Sequence, residues 1–503
     1  MRKGRIFLLI TPLVSFYLTG CNTSVNNESI KTLEIYASND FHGQVMASNN
    51  YMGLANFGTF MKERGEEENT LLLDQGDTWQ GSIYSNYNYG ALVNDVMCAA
   101  KFDARTVGNH DFDWGLKPLI DNTARSFNGY TIPTLAANVY DYDFSSKTVG
   151  NIQQEDIGRK TVTYTLENGL KVGIVGTIGE NQITTITSSY VQDIAFTNHI
   201  EVIKQEAVNL KSEGCDIVIA TCHSGQEDLL NNGLQNYVDL VLCGHTHQDE
   251  TTKEGNLYYA QFACYGEEIG HITLTYNVEK KMVTKTKIEA LGASSVKRKV
   301  KTVDPTIENL ISTYNAQCDK EANVVVANNT YRFYKNEQAP NLMCKAIYDQ
   351  CVEEGFGDVV LTYCNTARMH LPEKEWTYAD LYASYPFDNV VYIVSVKGSD
   401  IINEIKGYNN AYINPSFDCQ IKYNSYYKIA CIDYLLYHTN AERYFDYFRS
   451  FSGVVDGELS KNYRVLLKDW LISNHYNEGV KLNSYDYSSS VSCFDKNRLT
   501  KVG

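Results

Sequence analysis

Leu33-Glu34-Ile35-Tyr36-Ala37-Ser38 runs straight into Asn39-Asp40-Phe41-His42-Gly43. A short apolar run predicts a β-strand over Leu33–Ala37, and the residues after it are polar and suited to a bend. The same order recurs downstream. Leu71–Leu73 leads to Gly76-Asp77, Ile217–Thr221 to His223-Ser224-Gly225, and Leu240–Cys243 to Gly244-His245-Thr246-His247. Gly108-Asn109-His110-Asp111-Phe112-Asp113 has the same polar character. Of the ten histidines, five fall inside these stretches. With a further strand at Val172–Val175 and helices over Gly90–Ala99 and Ile200–Ser212, the pattern predicts an α/β domain with a buried sheet. In such sheets ligands gather outside the carboxyl ends of the strands, where these motifs lie.

The residue types at those ends suit divalent metals. Asp40 and His42 are two apart, so a bend turns both toward one cation. Gly76 allows close backbone approach, and Asp77 has two carboxylate oxygens, enough to bridge two ions. Asn109 offers a neutral amide oxygen, and His223, His245 and His247 offer imidazoles. A nitrogen and oxygen set without thiolate suits Mn, Zn, Fe, Co or Mg rather than a structural zinc. One histidine at a strand end is usually structural, and one Gly-Asp is usually a turn. All five motifs in order within one half are the signal. Metal ligation lowers the pKa of water from about 15.7 to about 7, which supplies hydroxide for attack on a phosphate ester.

Composition sets the limits. At 503 residues the chain is long enough for two cores, and 43% hydrophobic with 21% charged residues is ordinary for a globular protein. A formal charge of −16 argues against a nucleic-acid polymer as partner. No obligate protein partner is inferred. Residues 1–20 read as an export signal: Arg2, Lys3 and Arg5 form a basic head before an apolar run, Ile6–Leu18, too short to span a bilayer comfortably. Leu18-Thr19-Gly20-Cys21 resembles a bacterial lipoprotein cleavage site, which makes Cys21 the expected lipid anchor, with residues 21–30 as tether. A plain secretory signal or an uncleaved anchor is the alternative. None of the later cysteines forms a Cys-x-x-Cys pair, and Cys215, Cys243 and Cys431 lie in or beside apolar runs, so no disulfide framework is expected.

The expected domains are 31–295 and 321–503, joined by a linker helix over 296–320. Ala293-Ser294-Ser295-Val296-Lys297 interrupts the α/β pattern, and Asp304–Lys320 reads as a helix begun near Pro305. The second half is tyrosine-rich and reads as α+β, with strands at Val359–Tyr363 and Val390–Val396 and helices at Asn341–Glu353 and Asn462–Ser473.

The ordered motifs Asn39–Gly43, Gly76-Asp77, Gly108–Asp113 and Gly244–His247 resemble those of the calcineurin-like metallophosphoesterases. More closely, the chain resembles the bacterial 5′-nucleotidase family, whose members also include UDP-sugar hydrolases and cyclic-nucleotide phosphodiesterases. That resemblance implies a four-layer α-β-β-α metal-binding domain followed by a smaller α+β substrate-binding domain. It implies two metal sites, one held by Asp40, His42, Asp77 and His247 and the other by Asp77, Asn109, His223 and His245. It gives His110 a catalytic role, oriented or kept cationic by Asp113; a helix-capping Asp113 beside a ligand His110 is the alternative. In the second half, Asn365-Thr366-Ala367-Arg368 stands where the family reads Asn-Gly-Gly-x-Ile-Arg, two residues shorter and without the glycines, with Arg368 as an anion or ribose contact. Tyr385-Pro386-Phe387-Asp388-Asn389 matches a Pro-Phe-x-Asn signature. Phe387 is then either a stacking face for a base or a core aromatic. The family's second stacking aromatic has no clear counterpart; Tyr444 or Phe445 is the candidate. The expected activity is a surface-anchored phosphomonoesterase on nucleoside 5′-monophosphates, held to the bacterial membrane from outside. Alternatives are a 2′,3′-cyclic-nucleotide phosphodiesterase or UDP-sugar hydrolase on the same metals, or a silent surface binding protein.

Overall fold

The computed structural model describes residues 29–143, 145–405, 407, 410–436 and 455–502. In it the strand foreseen at Leu33–Ala37 extends over Ile30–Ser38, inside a six-stranded sheet. It pairs in parallel with Thr70–Asp74, and the sheet continues through Ala104–Thr106 to Thr134–Leu135. On its other side lies the antiparallel hairpin Glu268–Asn277 and Met282–Gly292. A second six-stranded sheet has Lys171–Ile178, Ile217–His223, Leu240–Cys243 and Leu257–Gln261 running parallel. Its edges, Thr161–Thr165 and Glu250–Glu254, are antiparallel.

Side-chain alternation explains the layering. Leu33, Ile35, Leu71 and Leu73 from one sheet meet Ile174, Ile219 and Leu242 from the other. The next residue along each strand faces outward. Tyr36 and Leu72 join the core with Phe57 and Phe60 of helix Gly53–Gly65, while Val175, Val218 and Val241 pack with Ile203 and Leu210 of helix His199–Ser212. A period of two with both faces apolar is what buried parallel strands require. Each such side chain stabilises the fold by about 1.5–3 kcal/mol when fully buried. The result is the expected four-layer helix–sheet–sheet–helix arrangement.

The interruption expected at Ala293–Lys297 is instead a helix, Ala293–Lys299. It begins from extended Gly292, and Ala293 and Val296, three apart, are buried in the core shared with helix Gly53–Gly65. Burial of that pair overrides the polar composition. The following helix spans Pro305–Ala322, with Asp304 capping the amides of Thr306 and Ile307 at 2.9 and 3.2 Å. Ile307, Leu310 and Cys318 enter the same core. The C-terminal half is built on a five-stranded mixed sheet with Leu361–Cys364, Tyr426–Ile432 and Val391–Lys397 at its centre. Helices Gln338–Glu353 and Tyr463–Leu471 accompany it, the second continuing into a π turn at Ile472–Tyr476. A small sheet of Val139–Asp143, Thr148–Gln153 and Ile194–Phe196 was not foreseen.

The twelve cysteines after Cys21 are free thiols. No helix among the described residues is long and apolar enough to cross a membrane. Residues 1–20, Cys21, Tyr444 and Phe445 lie outside the described residues.

Candidate metal centre and substrate cavity

Because the central strands of both sheets run parallel, their carboxyl ends open at one edge. Asp40, Asp77 and Asn109 follow strands of the first sheet; His223, His245 and His247 end or follow strands of the second. The backbone there is bent into the left-handed region, with φ of 49° at Asp40, 49° at His42, 53° at Asp77, 79° at His245 and 59° at His247. A non-glycine residue in so sparse a region costs on the order of 1–3 kcal/mol, and such strain persists where surrounding bonds fix it. Those bonds are present. Asp40 N–H donates to Gly76 O and His42 N–H to Asp77 O, both at 2.9 Å, and His245 N–H donates to the Asp40 carboxylate at 3.0 Å. Gly108 has to be glycine, since a Cβ there would lie 2.2 Å from Asp77 Oδ1.

The side chains form two clusters, Asp40–His42–His247 and Asp77–His223–His245, with ligand atoms of each within 4.8 Å of one another. His42 Nδ1 faces Gln80 O at 3.0 Å, and His223 Nδ1 faces Gln75 O at 2.8 Å. A carbonyl can only accept, so each Nδ1 carries the proton and, in the neutral ring that a ligand must be, each Nε2 presents a lone pair. Those lone pairs point at other acceptors: His42 Nε2 is 3.8 Å and His223 Nε2 3.2 Å from Asp77 Oδ2, and His223 Nε2 is 3.1 Å from Asn109 Oδ1. His245 Nδ1 also faces Asn109 Oδ1, at 3.0 Å. Asp77 Oδ2 is buried and has no hydrogen-bond partner among the described residues. Acceptors turned on acceptors, with an orphaned carboxylate oxygen between the two clusters, fit a pair of cations with Asp77 shared between them.

Electrostatics agree. Burial opposes charge on His223, yet the Asp77 carboxylate outweighs it, with Asp40 adding to the effect, and lifts its pKa to about 10. Burial likewise opposes ionisation of Asp40, but His247 and His223 hold its carboxyl down at about 2. The carboxylates demand positive charge at this place. Burial and neighbouring His223 bring His245 down to about 4, which leaves it neutral as a ligand must be.

His110 stands apart from both clusters. Its backbone N–H donates to Asp77 Oδ1 at 2.8 Å, while its ring Nδ1 meets Asp113 Oδ2 at 2.7 Å. The short 3-10 turn Asn109–Phe112 brings Asp113 back under the imidazole. Burial raises the Asp113 pKa, while His110 opposes the rise. His110 is not a member of either ligand cluster. Its ring lies against Phe387 with centroids 5.5 Å apart and 29° between planes.

A cavity of about 440 Å³ opens over the centre, walled by Asp77, Asn109, His110, Asp113, His245 and His247 on one side and by Asn365, Arg368 and Phe387 on the other. The shortened loop therefore still delivers Arg368, whose backbone N–H is fixed to Ser384 O at 2.9 Å and whose guanidinium lies 5.6 Å from the Phe387 ring centroid. Phe387 is half-buried, lining the cavity while packing against the core behind it. Sequence reasoning missed Gln80, Trp114, Thr185, Thr187, Tyr190, Asp433 and Tyr434, which also line the cavity, while Asn389 stands in the quoted Pro-Phe-x-Asn signature. Trp114 was readable, since it directly follows the motif Gly108–Asp113. Tyr190 comes from the 3-10 turn Ser188–Tyr190, which no sequence pattern announces.

A calcineurin-like phosphoesterase model matches residues 33–249. The chain is 26% identical over 421 residues to a snake venom 5′-nucleotidase from Naja atra, covering 73% of this chain and 76% of the relative. It is 25% identical over 430 residues to a 5′-nucleotidase from Diplobatis ommata, covering 76% and 71%. Its fold is similar to the crystal structure of a 5′-nucleotidase precursor from Thermus thermophilus, with a TM-score of 0.74 at 17% identity over 90% of this chain and 97% of the other.

Proposed function

Because the chain belongs to the 5′-nucleotidase family of calcineurin-like metallophosphoesterases, we propose that it hydrolyses nucleoside 5′-monophosphates to nucleoside and phosphate. It is a metal-dependent phosphoric ester hydrolase, and its cofactors are two divalent metal ions. In the proposed assignment Asp40, His42, Asp77 and His247 hold one ion, and Asp77, Asn109, His223 and His245 the other. Bound there, the metals supply the Lewis acidity that polarises the phosphoryl group and acidifies the attacking water.

The chain's own groups do the rest. His110, steadied by Asp113 at 2.7 Å, faces the same cavity and is placed to donate a proton to the leaving oxygen or to stabilise charge on the phosphoryl oxygens. Arg368 supplies a fixed positive charge for an anionic substrate. Phe387 gives an aromatic face for a nucleobase, worth about 1–3 kcal/mol. Trp114, Tyr190 and Tyr434 are the described aromatics on the same wall that suit the opposite face of the base.

The observation that carries this reading is one cavity lined by members of both ligand clusters (His247 of one, Asp77 and His245 of the other), the His110–Asp113 pair, Arg368 and Phe387. Assay of the Mn²⁺-loaded protein against AMP, 2′,3′-cyclic AMP, a UDP-sugar and an aryl phosphate tests it. The highest kcat/KM is expected for a 5′-monophosphate; preference for a nucleoside-free ester would reject it. Attachment to the outer face of a bacterial membrane through lipid on Cys21 is part of the same proposal and rests on Leu18-Thr19-Gly20-Cys21 alone. Mass spectrometry of the mature N-terminus checks it, an unmodified residue there being the contrary result.

A further inference from the structure

Gln80 lies three residues beyond Asp77, is 1% exposed, and its backbone carbonyl orients His42 at 3.0 Å. Its side chain has no such task. Both Nε2 and Oε1 are buried without a hydrogen-bond partner among the described residues. A buried amide with both ends unpaired is costly, and where one persists it marks a place for a ligand or water. Gln80 faces the cavity of about 440 Å³ on one side. On the other it borders a space of about 20 Å³ shared with His42, Ser82, Tyr265 and Arg368. The smaller space has room for one water and no more. Arg368 lines both spaces too, and its Nη2 is likewise buried and unpartnered.

We propose that Gln80 is a substrate-binding residue, its amide donating to a tetrahedral oxyanion at the metal centre while its carbonyl oxygen turns to Arg368. An amide is suited to this position, because it offers one acceptor to a guanidinium and two donor hydrogens to an anion. The proposal rests on the phosphoester reading of the cavity and adds a phosphate contact from the catalytic half.

Gln80→Leu keeps the shape and removes both polar ends; Gln80→Glu keeps the shape and sets a carboxylate beside the anion. The measurements on the metal-loaded protein are binding of inorganic phosphate by calorimetry, its inhibition of aryl phosphate hydrolysis, and metal content. Gln80→Leu is expected to weaken phosphate about ten- to hundredfold with two metals per chain retained, and Gln80→Glu to weaken it further. Unchanged phosphate binding in Gln80→Leu overturns the proposal, and so does a fall in metal content, which would mean that Gln80 acts through His42. Should Gln80→Leu not fold, unchanged phosphate binding in Gln80→Glu overturns it equally. A protein that cleaves aryl phosphate but not nucleotides sinks the nucleotidase reading and leaves this measurement intact.

Discussion

The catalytic half holds its functional groups by overlapping constraints: five candidate ligands on left-handed backbone at the ends of parallel strands, tied together by main-chain bonds. The C-terminal half presents Phe387 on a loop held by few side chains. Asn86 Nδ2 donates to Pro386 O at 3.1 Å and Asn389 Nδ2 to Asp433 Oδ1 at 2.7 Å, while Arg464 makes the most contacts, from behind. Arg464 is 3% exposed and donates to Tyr385 O at 2.9 Å and Phe387 O at 2.6 Å. It also pairs with Asp388 and stacks on Tyr382, its guanidinium carbon 3.7 Å from the ring centroid. Redundant support makes the first half a site that fails through loss of its metals. Sparser support, centred on Arg464, makes the second a site that fails through displacement. Chemistry and substrate choice should therefore respond separately to substitution.

The largest effect is expected at Asp77, which the proposed assignment puts in both metal sites. Asp77→Asn removes the charge that lies 3.2 Å from His223 and 3.8 Å from His42, and activity should fall to background with fewer than two metals per chain. Chelation of the native protein should do the same, and readdition of Mn²⁺ should restore turnover. Activity that survives chelation would break the comparison at its first term. His110→Ala comes next, lowering kcat by about 10²–10⁴ on nucleotide and aryl phosphate alike while elemental analysis still finds two metals. Loss of metal in that variant would make His110 a ligand.

What could be read from the sequence divides along the same line. Asp40, His42, Asp77, Asn109, His223, His245 and His247 were visible because each candidate ligand is a side chain of a telling type placed at or just past the end of a strand. Their supports were not visible. The carbonyls of Gln75 and Gln80 orient His223 and His42, but a backbone carbonyl leaves no mark on residue type. Ala293–Lys299 was misjudged because its burial against helix Gly53–Gly65 is a tertiary effect that local composition does not carry. In the C-terminal half, Phe387, Asn389 and Arg368 stood in recognisable motifs, whereas Thr185, Thr187 and Tyr190 of the catalytic half reach the cavity through loop geometry. Arg464, seventy-seven residues from Phe387, had no sequence signal linking it to that loop.

Displacement of the loop gives a smaller effect, and a selective one. Phe387→Ala should raise KM for a nucleotide about tenfold, in keeping with about 1–3 kcal/mol for base stacking, and leave KM for an aryl phosphate unaltered. Arg464→Met should move the same KM in the same direction without moving kcat, because the arginine contacts the loop from behind and does not line the cavity. Arg464→Lys, which cannot reach three acceptors with a planar fork, should not rescue it. Equal losses on both substrates would place Phe387 in the core and remove the distinction between the halves.

The smallest effect concerns the helix between them. Tyr314, on Pro305–Ala322, donates its hydroxyl to Asp95 Oδ2 at 2.7 Å and accepts from Arg125 Nη2 at 2.6 Å. Asp95 and Arg125 remain paired without it, through Arg125 Nε and Nη2 at 2.6 and 2.9 Å. Ile307, Leu310 and Cys318 keep the helix in the catalytic core in any case. Tyr314→Phe therefore forfeits about 1 kcal/mol of stability, the net worth of one hydrogen bond, because the charges it leaves behind still have each other. Denaturant unfolding should register that loss with kcat and KM unchanged on both nucleotide and aryl phosphate. A change in nucleotide KM alone would show that the helix sets the position of the C-terminal wall, and the boundary between the densely and the sparsely supported half would then lie before Pro305 rather than after Ala322.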